Sequence, residues 1–115
     1  MRILGVLVAA LAVAGAAGAT APPVKYIPIG PVSTIATQRG QLVSVALPQA
    51  AGKSWRTARP VSAGVLREVS EADVGTNVVI VFKAVGKGRV TVVFARTRGE
   101  AQRADASRSF RVTVS

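Results

Sequence analysis

The sequence predicts an all-β domain, an antiparallel β-sandwich of about seven strands, and three observations carry that expectation. From Val32 onward the chain is a series of short β-type runs, and nothing there has helical period. Turn-forming residues interrupt the runs roughly every ten residues, as in sandwiches. Within the runs apolar residues alternate, so that one face of each can be buried. The rows are Val43, Val45 and Leu47; Val78, Ile80 and Phe82; Val90, Val92 and Phe94; and Phe110, Val112 and Val114.

The first nineteen residues are a separate object. Met1-Arg2 supplies a positive charge, Ile3 to Val13 an apolar run, and Ala14 to Ala19 only Ala and Gly. That order is the order of a secretory signal peptide. Ala17-Gly18-Ala19 fits the small-x-small cleavage rule and makes Thr20 the first mature residue. A cut after Ala21 would put Pro22 first, where proline blocks cleavage. The apolar run is short for a span of ~20 residues, so no membrane span is expected after cleavage. No Cys follows that could carry a lipid anchor. The expected location is the periplasm or outside the cell.

Residues 20–31, TAPPVKYIPIGP, hold four of the six prolines. Proline cannot donate to a ladder, so this is an extended lead-in or at best an edge strand. Its Tyr26, Ile27 and Ile29 can dock on a sheet. Strands are expected near 32–37, 41–47, 54–59, 65–70, 77–85, 89–97 and 108–114. The breaks fall at Arg39-Gly40, Pro48 to Lys53, Pro60 to Gly64, Glu71 to Thr76, Gly86 to Gly88 and Arg98 to Ser107. Residues 32–115 thus form one domain, with Trp55, Phe82, Phe94 and Phe110 as its expected large core side chains.

Composition argues against catalysis. The 115 residues contain no Cys and no His. Thiol nucleophiles, disulfides, imidazole bases and Cys or His zinc sites are therefore excluded. Five carboxylates leave little for a two-carboxylate hydrolase. Glu68, Glu71 and Asp73 cluster without the spacing of a calcium loop and read as solvated or ion-paired. The segment AAGKS at 50–54 resembles a phosphate loop, but position 47 is Leu where that motif needs Gly. Lys53 and Ser54 are adjacent, and neighbouring strand residues point to opposite faces, which disfavours a Lys-Ser dyad. No enzyme activity, cofactor or metal is expected.

The runs GQLVSVALP at 40–48, GKSW at 52–55, VVIVFKAVG at 78–86, RVTVVFAR at 89–96 and SFRVTV at 109–114 resemble chagasin, in order and spacing, over residues 38–114. Chagasin-type proteins are inhibitors of papain-like cysteine peptidases. The resemblance implies an immunoglobulin-like sandwich whose three loops at one end enter the peptidase cleft. The family's first loop carries Asn-Pro-Thr-Thr-Gly-aromatic closely followed by Trp; here QAAGKSW keeps Gly52 and Trp55, and Lys53 takes the aromatic position. Its glycine-rich second loop is reduced to EADVGTN around Gly75. Its third, Arg-Pro-Trp, reads Arg96-Thr97-Arg98, so only Arg96 carries over. The residues implied for partner contact are Gly52, Lys53, Gly75, Arg96 and Arg98. A Trp starting the third strand of such a sandwich packs between the sheets, which places Trp55 in the core.

The charge balance leaves a second class of function open. Fifteen Lys and Arg against five Asp and Glu give +10. Loss of residues 1–19 removes Arg2 and leaves 14 basic and 5 acidic residues, net +9 over 96 residues. Eleven of the basic residues are Arg, whose planar fork suits phosphate, sulfate and carboxylate. Arg96 and Arg98 continue the parity of inward-facing Phe94 toward the loop end. Lys53 and Arg103 are expected to gather there, giving an anion-binding candidate of Lys53, Arg96, Arg98 and Arg103. Its ligands would be acidic glycans or lipid head groups; solubility alone also accounts for such charge. Nucleic acid is not expected, because the five aromatics offer no stacking platform. A structural accessory role in an envelope complex is the third reading, and the number of copies in the assembly is not set by the sequence.

Overall fold

A computed structural model describes residues 23–115, so the expected signal peptide and the start of the lead-in lie outside the described residues. Seven strands follow in order: β1 (Val32–Thr37), β2 (Leu42–Pro48), β3 (Ser54–Thr57), β4 (Leu66–Val74), β5 (Asn77–Ala84), β6 (Gly88–Thr97) and β7 (Ala106–Val114). They form two sheets, β1-β7-β6-β3 and β2-β5-β4. The fold is an all-β, immunoglobulin-like sandwich.

The alternating rows supply the inner faces. Val45, Leu47, Val78, Ile80, Phe82, Val92, Phe94, Val112 and Val114 are buried in one cluster with Trp55 and Leu66. Phe94 is the hinge of this core, with ring centroids 6.2 Å from Phe82 and 5.9 Å from Phe110, the second contact edge-on. Such tilted pairs satisfy the ring quadrupoles while burying apolar area. Phe110 is only half-buried, packed against the margin of the cluster.

One pairing is parallel: β1 runs alongside β7, from Val32 opposite Ser109 to Thr37 opposite Val114. The lead-in sets that direction. Tyr26 bridges Arg103 in parallel, Ser107 Oγ donates to the Pro28 carbonyl at 2.6 Å, and Ser109 N–H donates to that of Pro31. The chain is thus already travelling beside β7 when it reaches Val32. Gly30 makes this approach possible, since a Cβ there would stand 2.0 Å from the Ser107 carbonyl oxygen. The lead-in docks through Val24 and Ile27, which cover Ala58, Val93, Ala95 and Ala104 on the outer face of the four-stranded sheet. Tyr26 and Ile29, expected to dock, remain exposed.

β4 extends to Val74, through residues expected to be a break. A bulge between Glu68 and Ser70 shifts its register. Before the bulge Leu66 and Glu68 face inward, opposite Ala84 and Phe82; after it Glu71 and Asp73 do, opposite Ile80 and Val78. That phase change hides the strand from a period-two reading. β3 is shorter than expected, ending at Thr57.

Candidate functional site

Three connections close the same end of the sandwich: residues 49–53 between β2 and β3, the Gly75-Thr76 turn between β4 and β5, and residues 98–105 between β6 and β7. None floats free of the others. Gln49 N–H donates to the Thr76 carbonyl at 2.9 Å, and Gln49 Nε2 donates to Asp73 Oδ1 at 2.5 Å, joining the first loop to the second. Lys53 Nζ donates to Asp105 Oδ2, joining the first to the third.

The base of the first loop is fixed by Trp55. Its ring is buried at 9% exposure, and its Nε1 donates to the Pro48 carbonyl at 2.7 Å. That bond satisfies the indole N–H and closes residues 48–55 into a short tie. Within the loop Lys53 N–H donates to the Ala50 carbonyl, and Gly52 has φ +72°, a left-handed conformation that glycine adopts without strain. A Cβ at Gly52 would stand 3.3 Å from Arg98 Nη1, so the Arg98 guanidinium lies over the loop.

Arg96 sits opposite Trp55 in the β3–β6 ladder, with its Cζ 5.6 Å from the indole centroid. It also forks onto Asp105, Nε to Oδ1 at 3.0 Å and Nη2 to Oδ2 at 3.1 Å. One carboxylate thus holds both Arg96 and Lys53. The bond from Arg96, then that from Lys53, holds the Asp105 carboxyl far below the usual aspartate range. The same bond raises the Arg96 guanidinium above its ordinary value. This flank is a bidentate ion pair stacked on an aromatic ring, the arrangement for which arginine is better suited than lysine.

The other flank is acidic. Glu68, Glu71 and Asp73 follow one another along the inward side of β4, where the opposing sheet has run out. Glu68 is pushed up first by desolvation and then by Glu71; Glu71 is pushed up by desolvation and then by Asp73. Between the flanks opens a cleft of about 270 Å³, lined by Gln49, Lys53, Trp55, Glu71, Asp73 and Val78.

The structure therefore brings Gly52, Lys53, Arg96 and Arg98 together and sets Gly75, at φ +61°, on the neighbouring turn. It does not bring Arg103 to them. Arg103 instead lies over the Tyr26 ring, 4.4 Å from its centroid, because the lead-in pairs with residues 102–104. Lys53 and Arg96 are neutralised by Asp105 rather than free to meet an anion. Asp105, the centre of the site, carried no sequence signal. It is one carboxylate in a polar loop, 52 residues from Lys53. Among the described residues no group of His, Cys, Asp or Glu could hold a metal ion.

No family model matches the chain, and no curated protein matches it. Among solved structures, the cysteine protease inhibitor EhICP2 from Entamoeba histolytica is similar with a TM-score of 0.56 and 13% identity. The match covers 76% of this chain and 99% of that one. At that identity the likeness is one of fold.

Proposed function

We propose that the chain is an exported, non-catalytic inhibitor-type module that binds a papain-like cysteine peptidase through its three-loop end. The observation that carries this reading is the cross-tying of three loops into one edge, on a sandwich whose solved relative is a cysteine protease inhibitor. A wedge that enters a cleft gains affinity when its loops are ordered before binding, because little conformational entropy is then lost. Trp55, Arg96, Lys53 and Asp105 supply that order. Arg98 and the Gly75 turn are the exposed parts and make the contacts. Inhibition is steric and reversible, since no nucleophile is required. Export rests on residues 1–19, which have the order of a signal peptide.

The test uses protein recovered from outside the cytoplasm, whose first residue should be Thr20, assayed against a panel of papain-like peptidases. Competitive inhibition that changes little with salt is expected, as affinity from a few desolvated anchors is weakly screened. Arg98→Ala should weaken it by about tenfold, the scale of one interface anchor. Failure to inhibit any member of the panel would overturn the proposal.

A further inference from the structure

The lead-in covers only part of the outer face of the four-stranded sheet, and the rest of that face is a track of hydroxyls and arginines. Register places Thr34, Arg111 and Thr91 in one row across β1, β7 and β6, with Thr113 and Arg89 paired in the row beside it. Arg89 and Arg111 are diagonal neighbours, so their Cα atoms lie roughly 7–8 Å apart. Two depressions of about 380 and 340 Å³ share Thr91 and Arg111 and run end to end. The first is walled by the lead-in at Ile29 and Val32, which are 103% and 54% exposed, and has Arg59 and Ser109 on its other sides. The second holds Thr34, Arg89 and Thr113.

Three features separate this face from the rest of the molecule. Arg59, Arg89 and Arg111 are all exposed, and among the described residues none has an ion-pair or hydrogen-bond partner, in contrast to Arg96. None of the five carboxylates lies here: Glu68, Glu71 and Asp73 are on β4 of the other sheet, and Glu100 and Asp105 are in the β6–β7 loop. Finally, hydroxyl donors stand between the guanidinium groups, with Thr91 central to both depressions.

We propose that this track binds an extended acidic polysaccharide, its sulfate or carboxylate groups received by Arg59, Arg111 and Arg89 and its hydroxyls by Thr91, Thr34 and Ser109. The occupant follows from charge and shape. Three unneutralised forks on a carboxylate-free surface complement a repeating anion. A grooved track crossing three strands fits a linear chain better than it fits the plane of a bilayer. This site is separate from the loop end and does not depend on what the loops bind.

The experiment measures binding of heparin, as a sulfated polysaccharide, to the chain from Thr20 to Ser115, which contains both hydrophobic clusters of the fold. Micromolar binding at low salt is expected, falling steeply as ionic strength rises. Arg89→Gln with Arg111→Gln should weaken it on the order of tenfold, and Arg59→Gln less. Arg67→Gln with Lys83→Gln removes the same charge from the outer face of the other sheet, where the two residues are paired, and should change binding less than about twofold. All these positions are exposed, and circular dichroism and melting of each variant confirm that the sandwich is intact. Equal losses from the two double variants would show diffuse charge and overturn the site. Absence of heparin binding would overturn it as well. So would tighter binding to phosphatidylglycerol vesicles that Arg89→Gln with Arg111→Gln abolishes, which would make the face a lipid-binding one.

Discussion

On one flank of the loop end a single carboxylate, Asp105, receives Arg96 and Lys53; on the other, Glu68, Glu71 and Asp73 stand in a row with no ion pair among the described residues. Both flanks are built from strand-end side chains at the margin of the core, and both carry acid groups in a strongly basic chain. Their titration is displaced in opposite directions. Asp105 is held down by the bonds it accepts, while Glu68 and Glu71 are held up by lost solvation and by their acidic neighbours. A net charge of +9 therefore predicts nothing about an individual acid; the distance to a cation decides. The tied flank gives the loop end its shape. The acidic flank stores repulsion that an incoming cationic group could relieve.

The largest change should come from breaking the tied flank at its aromatic base. Trp55→Ala removes the buried ring, its bond to Pro48 and the surface under Arg96, and should cost on the order of 3–5 kcal/mol by chemical denaturation. In the unaltered protein Trp55 fluorescence should be blue-shifted and move red on unfolding. An exposed emission maximum in the folded state would remove Trp55 from the core and dissolve the contrast between the flanks.

A smaller loss is expected from Asp105→Asn, and its pH dependence is the sharper test. A depressed folded value means that the carboxylate stabilises the fold fully above its ordinary value of 3.8 and loses that effect as pH falls through the depressed one. The difference in stability between the two proteins should therefore be largest at neutral pH and shrink below about 3.8. A difference independent of pH would show that the cations contribute nothing through this group.

Glu68→Gln with Glu71→Gln should have the smallest effect and the opposite sign. Raised folded values mean that these carboxylates cost stability when ionised, and that the cost disappears as pH falls through the raised values and below 4.5. The double variant should melt higher at neutral pH, by less than about 1 kcal/mol because solvent screens partly exposed groups. It should match the unaltered protein below pH 4.5. Destabilisation at neutral pH would mean that the row has cationic partners in solution, and the two flanks would then be alike.

The strand run was legible because burial imposes a period of two wherever a regular strand has one face on a core. Val78, Ile80 and Phe82 announce β5, and Val90, Val92 and Phe94 announce β6, with no knowledge of their partners. The same rule failed at β4, where the bulge shifts the phase and leaves most of the strand exposed. Gly52 and Trp55 marked the first loop from sequence because a left-handed turn and a core indole need particular residue types. Arg96 was marked, but its partner was not.

By itself, then, the sequence determined the strands, the turns between them and the inner face of most, since these depend on residues a few positions apart. Which strand lies beside which, and in what direction, was decided in three dimensions. The lead-in lies along β7 and makes β1 parallel, and Arg103 is drawn to Tyr26 instead of to the loop end. The pairing of charges was decided there too. Asp105 meets Lys53 across 52 residues, while Arg59, Arg89 and Arg111 are left without a carboxylate on their face. Composition fixes how many charges there are, but an ion pair depends on a separation of a few ångströms that only the packed sheets set.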